Sequence, residues 1–161
     1  MMITFFEALH WNFPQKFKKK VYDAKHTLTY LTPCLVHDIS TTALYCHRPT
    51  IGQWWGVKKK VNLAAGKFHG YWFDQTIKSS PKVKVSWYSW DKTAKWRYML
   101  VAGNFTRKAE NAQLDLSALP VKLTECVYQD LWTGKTLTFD EVKKLVVQPH
   151  NFRLIGIAVK E

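Results

Sequence analysis

Cysteine is scarce in this chain. Cys34, Cys46 and Cys126 are three, too few and too far apart for a disulfide framework. Their odd number fits a reducing compartment or a truncated chain better than a mature secreted domain. Seven glycines are scattered singly, so there is neither a phosphate-cradling loop nor a dinucleotide fingerprint. No Gly-x-Ser-x-Gly elbow occurs, which leaves nucleophilic chemistry without a motif. No run of about 18 apolar residues exists, so nothing is expected to span a membrane. The start, MMITFFEALHWNF, lacks a basic region, an apolar core and a cleavage site, so no signal peptide is expected. At 161 residues the chain is too short for an eight-stranded α/β barrel, which needs roughly 250.

Acidic side chains are also few: 12 Asp and Glu stand against 24 Lys and Arg, a formal charge of +12. That balance permits nucleic acid, anionic lipid or acidic polysaccharide as a partner without choosing among them. What the chain has in quantity is apolar and aromatic surface. Hydrophobic residues are 47%, enough for a core, and eight Trp, seven Tyr and nine Phe make it 15% aromatic. Such a content favours strands and faces that stack on flat ligands.

The sequence has two textures, with a boundary near Gly66. Residues 1–66 are irregular. Pro14 to Asp23 predicts a short helix, Leu28 to Ile39 a buried strand with His37-Asp38 as its polar tip, and Arg48 to Gly56 a loop or short helix. Val57 to Lys60 is basic and expected to be exposed. Residues 67–161 alternate regularly. Strands are expected over Phe68 to Phe73, from Val83, over Trp96 to Ala102, Gln113 to Leu116, Leu123 to Leu131, Thr136 to Phe139, Lys144 to Val147 and Phe152 to Val159. Val83, Val85 and Trp87 share one face, and Lys84, Ser86 and Tyr88 the other. Turns fall at Gly103-Asn104, Trp132 to Lys135 and Pro149 to Asn151. The fold class expected is mainly β: an antiparallel β-sandwich of seven or eight strands, Greek-key-like, behind an irregular α/β N-terminal segment.

The order VKVSWY, YMLVAGNFT, AQLDLS, YQDLWTGKTL and LVVQPHNFRLIGI resembles the C-terminal β-sandwich that follows the catalytic barrel of many glycoside hydrolases. The α-galactosidase-like and the family-123-like bacterial enzymes carry it. The matching stretches are Val101 to Asn104, Leu114 to Ser117, Asp130 to Lys135 and Val147 to Ile157. Upstream, LVHDIS and FHGYWF resemble the last barrel strand and the lead-in to the sandwich. The resemblance implies an accessory, non-catalytic domain that lends structural support, with weak glycan binding as an addition. It implies that residues 1–66 are a barrel remnant or a cap, that the partner is a catalytic barrel, and that the parent enzyme is exported. A glycosidase needs two carboxylates about 5–10 Å apart. The resemblance places them on middle barrel strands, before Met1, so no catalytic residue is expected here.

Candidate ligand contacts are His37 and Asp38, read as the end of a barrel strand, and the aromatic group Trp87, Trp90 and Trp96. With Lys84, Lys92 and Lys95 that group could stack on an acidic glycan. The plainer reading has Trp87 in the sandwich core and the other two packed at an interface. Trp54-Trp55 and Tyr71-Trp72 read as interdomain packing, an exposed apolar patch if the barrel is absent. Cys34, His37, Cys46 and His47 have poor spacing for zinc, and no metal or cofactor is expected. Lys18 to Lys20 and Lys58 to Lys60 are charge runs, which are usually solvated faces. A basic nucleic-acid binder and a small self-contained glycosidase, the latter using Asp38 or Asp74, are the competing readings.

Overall fold

The computed structural model describes residues 23–43 and 46–159. The expected helix over Pro14 to Asp23 lies outside them except for Asp23. That residue begins the first helix, α1 (Ala24–Val36), by accepting the His26 backbone N–H at 2.7 Å. The predicted strand over Leu28 to Ile39 is therefore corrected to helix. Thr27, Tyr30, Leu31, Cys34 and Leu35 are buried at helical spacing. Thr32 and Val36 are buried as well, and this wide apolar face is what imitated a continuous strand run. The loop expected at Arg48 to Gly56 and the exposed run after it form one helix, α2 (Arg48–Val61), with Pro49 in its first turn. Lys58 to Lys60 occupy its last turn, where cations suit the helix dipole, but Val57 is buried.

Besides two short 3-10 turns, Leu63–Ala65 and Leu123–Glu125, the remaining elements are β1 (Lys67–His69), β2 (Val83–Ser89), β3 (Tyr98–Asn104), β4 (Glu110–Asn111), β5 (Cys126–Asp130), β6 (Thr136–Leu137), α3 (Phe139–Lys143), β7 (Val146–Val147) and β8 (Asn151–Val159). Among the described residues, eight strands form two antiparallel sheets. Six lie in the order β1-β2-β3-β8-β5-β6, and β4 pairs with β7. The last strand, β8, inserts between β3 and β5, so the chain crosses over as a Greek key does. Several expectations for this half are corrected. Leu123–Glu125 forms a 3-10 turn before β5, and Gly103 and Asn104, expected as a turn, are the last residues of β3. The strand at Phe68 stops at His69, because Gly70 opens a turn whose carbonyl accepts the Phe73 and Asp74 N–H groups. Gln113 to Leu116 makes only a single bridge, Asp115 to Lys78.

The large sheet is apolar on both faces. Val83, Val85, Trp87, Leu100, Ile155 and Ile157 pack toward the small sheet, α3 and the segment Ala112 to Leu119. Tyr88, Met99, Val101, Phe152 and Leu154 pack toward α1 and α2. The alternation on β2 is the one its sequence predicts. Helix α1 rests directly on β3: a Cβ built on Gly103 would sit 2.5 Å from Val36 Cγ2. That close approach fixes where the helix ends, and hence where His37 and Asp38 lie.

Candidate functional site

His37 and Asp38 cap a helix rather than tip a strand. Asp38 is left-handed (φ 53°), and Ile39 N–H returns to Cys34 O at 2.8 Å, closing a Schellman-type end. The Asp38 carboxylate accepts the Tyr88 hydroxyl at 2.6 Å. Burial, and then this carboxylate, hold the Tyr88 hydroxyl well above the ordinary phenol range. His37 Nδ1 donates to Pro33 O at 2.9 Å, since a carbonyl only accepts. In the neutral ring Nε2 then accepts from the Tyr71 hydroxyl at 3.4 Å.

The loop after β1 builds an aromatic group on that imidazole. Trp72 stacks on His37 with centroids 5.3 Å apart, while Tyr71 and Phe105 approach at 5.6 and 6.4 Å. The rings of Trp72 and Phe73 fold over Gly70, where a Cβ would lie 2.7 Å from the indole. Ser86, fully buried, ties the two halves together. Its hydroxyl donates to Val36 O at 2.7 Å and accepts Tyr71 N–H at 3.2 Å. Trp72 remains 50% exposed, Phe73 61% and Phe105 41%, so the group is an open apolar patch. Asp38, His37 and Lys84, whose ammonium lies 5.6 Å from the Tyr71 centroid, supply its polar margin.

The other predicted contacts are elsewhere. Trp87 is in the core between the sheets, and Trp90 and Trp96 are in the core beneath the helices; all three are buried. Trp90 Nε1 donates to Asn62 O at 3.1 Å, and Lys60 and Lys95 each lie 5.7 Å from the Trp96 ring. Burial leaves this trio no open face for a sugar. Trp54 is also buried, and Trp55 is half exposed on α2. Cys34 and Cys46 are buried, and His47 Nδ1 meets Thr50 Oγ1 at 2.9 Å. Among the described residues no group of three His, Cys, Asp or Glu is placed to hold a metal ion. No described helix is long and apolar enough to cross a membrane.

One arrangement has no sequence motif. His69, at the end of β1, lies flat on Trp87, with centroids 3.7 Å apart and planes at 8°. Its Nδ1 meets Asp74 Oδ2 at 2.8 Å and its Nε2 meets Ser89 Oγ at 2.9 Å. Asp74 Oδ1 accepts Thr76 N–H at 2.9 Å. Burial alone would raise the Asp74 carboxyl, but the hydrogen bonds from Thr76 and then His69 outweigh it and hold the group below its ordinary value. A depressed carboxyl stabilises the fold above the ordinary carboxylate pKa, and that contribution is lost as the pH falls through the depressed value. The melting temperature of the wild type should therefore exceed that of Asp74→Asn near pH 6. The gap should narrow as the pH falls below the ordinary carboxylate value, read by circular dichroism. A gap independent of pH would contradict this account.

No protein-family model, no curated protein and no solved structure matches this chain.

Proposed function

We propose that the chain is an accessory β-sandwich module of a carbohydrate-active enzyme. It supports a catalytic barrel structurally, cleaves no glycosidic bond itself, and makes a weak glycan contact at Trp72. The observation that carries this reading is the open patch that Trp72 and Phe105 make on His37, with Phe73 edge-on to Trp72. An exposed indole with polar groups at its margin matches a pyranose, whose C–H face stacks while its hydroxyls hydrogen-bond at the rim. The order of sandwich motifs noted above agrees with it. The described carboxylates near the patch are engaged otherwise: Asp38 holds Tyr88, and Asp74 holds His69 and Thr76. Neither is left as one of a facing acid pair.

The test has two parts. An immunoblot of source cells should show the sandwich in a species far above 18.8 kDa. Affinity electrophoresis against a panel of neutral and acidic polysaccharides should show retardation by at least one, abolished in Trp72→Ala with an unchanged far-ultraviolet spectrum. A band at 18.8 kDa would end the reading as an accessory module. Mobility unaffected by every polysaccharide would end the glycan contact.

A further inference from the structure

We propose that Ser89 is an acyl-accepting nucleophile, with His69 as its general base and Asp74 as the residue that positions the imidazole. This goes beyond the accessory reading and does not depend on it. Three observations carry it. The first is the continuous chain Ser89 Oγ, His69 Nε2, His69 Nδ1, Asp74 Oδ2, with both links at hydrogen-bond length. A hydroxyl beside a base that a carboxylate orients is the arrangement that activates serine on unrelated folds, whatever the order of the residues in sequence.

The second observation is that the imidazole is held fixed. Trp87 lies parallel beneath it, and Thr76 N–H pins the carboxylate from the far side. Asp74 can only accept when ionised, so Nδ1 keeps its hydrogen and Nε2 presents a lone pair to Ser89. The third is access. The side chains of His69 and Asp74 are 14% and 18% exposed, and Ser89 is partly exposed near the edge of the large sheet.

The chemistry balances with water as the only co-reactant. Ser89 Oγ forms a bond to the carbonyl carbon of a small acyl ester while its proton passes to His69 Nε2. The ester C–O bond then breaks, and the alcohol leaves with that proton. Water, giving a proton to the same nitrogen, releases the acid and restores the serine. Ser89 sits on a strand and is only partly exposed, which leaves room for a small acyl group, so the substrate class assigned is a short-chain ester.

The probe is a fluorophosphonate, whose phosphorus takes the serine oxygen and expels fluoride, read by intact mass on the full chain. One adduct is expected, mapping to Ser89 and absent from Ser89→Ala. The labelling rate should fall at least about tenfold in His69→Gln and in Asp74→Asn, each checked for folding by thermal melting. Release of p-nitrophenolate from p-nitrophenyl acetate should follow the same order. An unlabelled wild type, or an adduct that survives Ser89→Ala, would overturn the proposal. So would labelling at Ser89 with an unchanged rate in both folded relay variants, because a merely structural hydrogen-bond chain predicts that result.

Discussion

Replacing Asp130 by Ala should lower the unfolding free energy by about 3 kcal/mol, read from the urea midpoint at constant slope. Asp130 is fully buried at the end of β5, and its carboxylate has three partners. Oδ1 accepts the N–H groups of Trp132 and Thr133 at 2.9 and 2.8 Å, and Oδ2 accepts Arg153 Nε at 2.6 Å. The first two shape the bend from Asp130 to Lys135, whose Gly134 takes φ 79°. The third joins the bend to β8. The Arg153 side chain is 31% exposed, so water softens the loss and the estimate stays below that for a fully enclosed pair. Asp130→Asn keeps an acceptor for the two amides and should cost about half as much. A variant Asp130→Ala within about 0.5 kcal/mol of the wild type would show that these bonds are exchanged for water without loss.

The second large effect tests whether the helices and the sheet unfold together. Leu31 of α1 and Ile155 of β8 are both fully buried, in the two different cores on opposite faces of the large sheet. Each truncation to Ala should cost about 2–5 kcal/mol through lost burial and the cavity left behind. Both should shift the same single transition, because Leu31 shares its core with Met99, Val101 and Leu154 of the sheet. If residues before Gly66 unfolded independently, Leu31→Ala would leave the transition followed by near-ultraviolet dichroism of the sheet in place. A second, earlier step would then appear.

Legibility followed the chemistry of each segment. In β2 the alternation of Val83, Val85 and Trp87 against Tyr88 was readable, because each face of a strand packs into its own core. The two apolar faces of β8 announced a strand covered on both sides, and it lies between β3 and β5. Helix α1 was hidden by its own burial: with Thr27, Thr32 and Val36 also enclosed, no polar stripe marks the 3.6-residue period. Position without context misled at Trp90 and Trp96, which sit near a hairpin but face the helices. The aromatic patch was half legible, since Tyr71-Trp72 stands out, but only the fold brings His37 and Phe105 to it. The relay was the least legible. Ser89 continues the face of Trp87 and pairs with Lys67, while His69 pairs with Trp87 itself; strand register, which no local motif records, is what joins them.

The order of the large sheet has a consequence for the behaviour of the chain in concentrated solution. Its seven- and nine-residue strands, β2, β3 and β8, all lie inside, while the margins are β1 with three residues and β6 with two. A margin that short offers only a few free N–H and C=O groups, too few to template a strand from another molecule. Among the described residues the large sheet thus presents little free backbone along which a strand of another molecule could pair, and contact between copies there falls to side-chain patches such as Trp72 and Phe73.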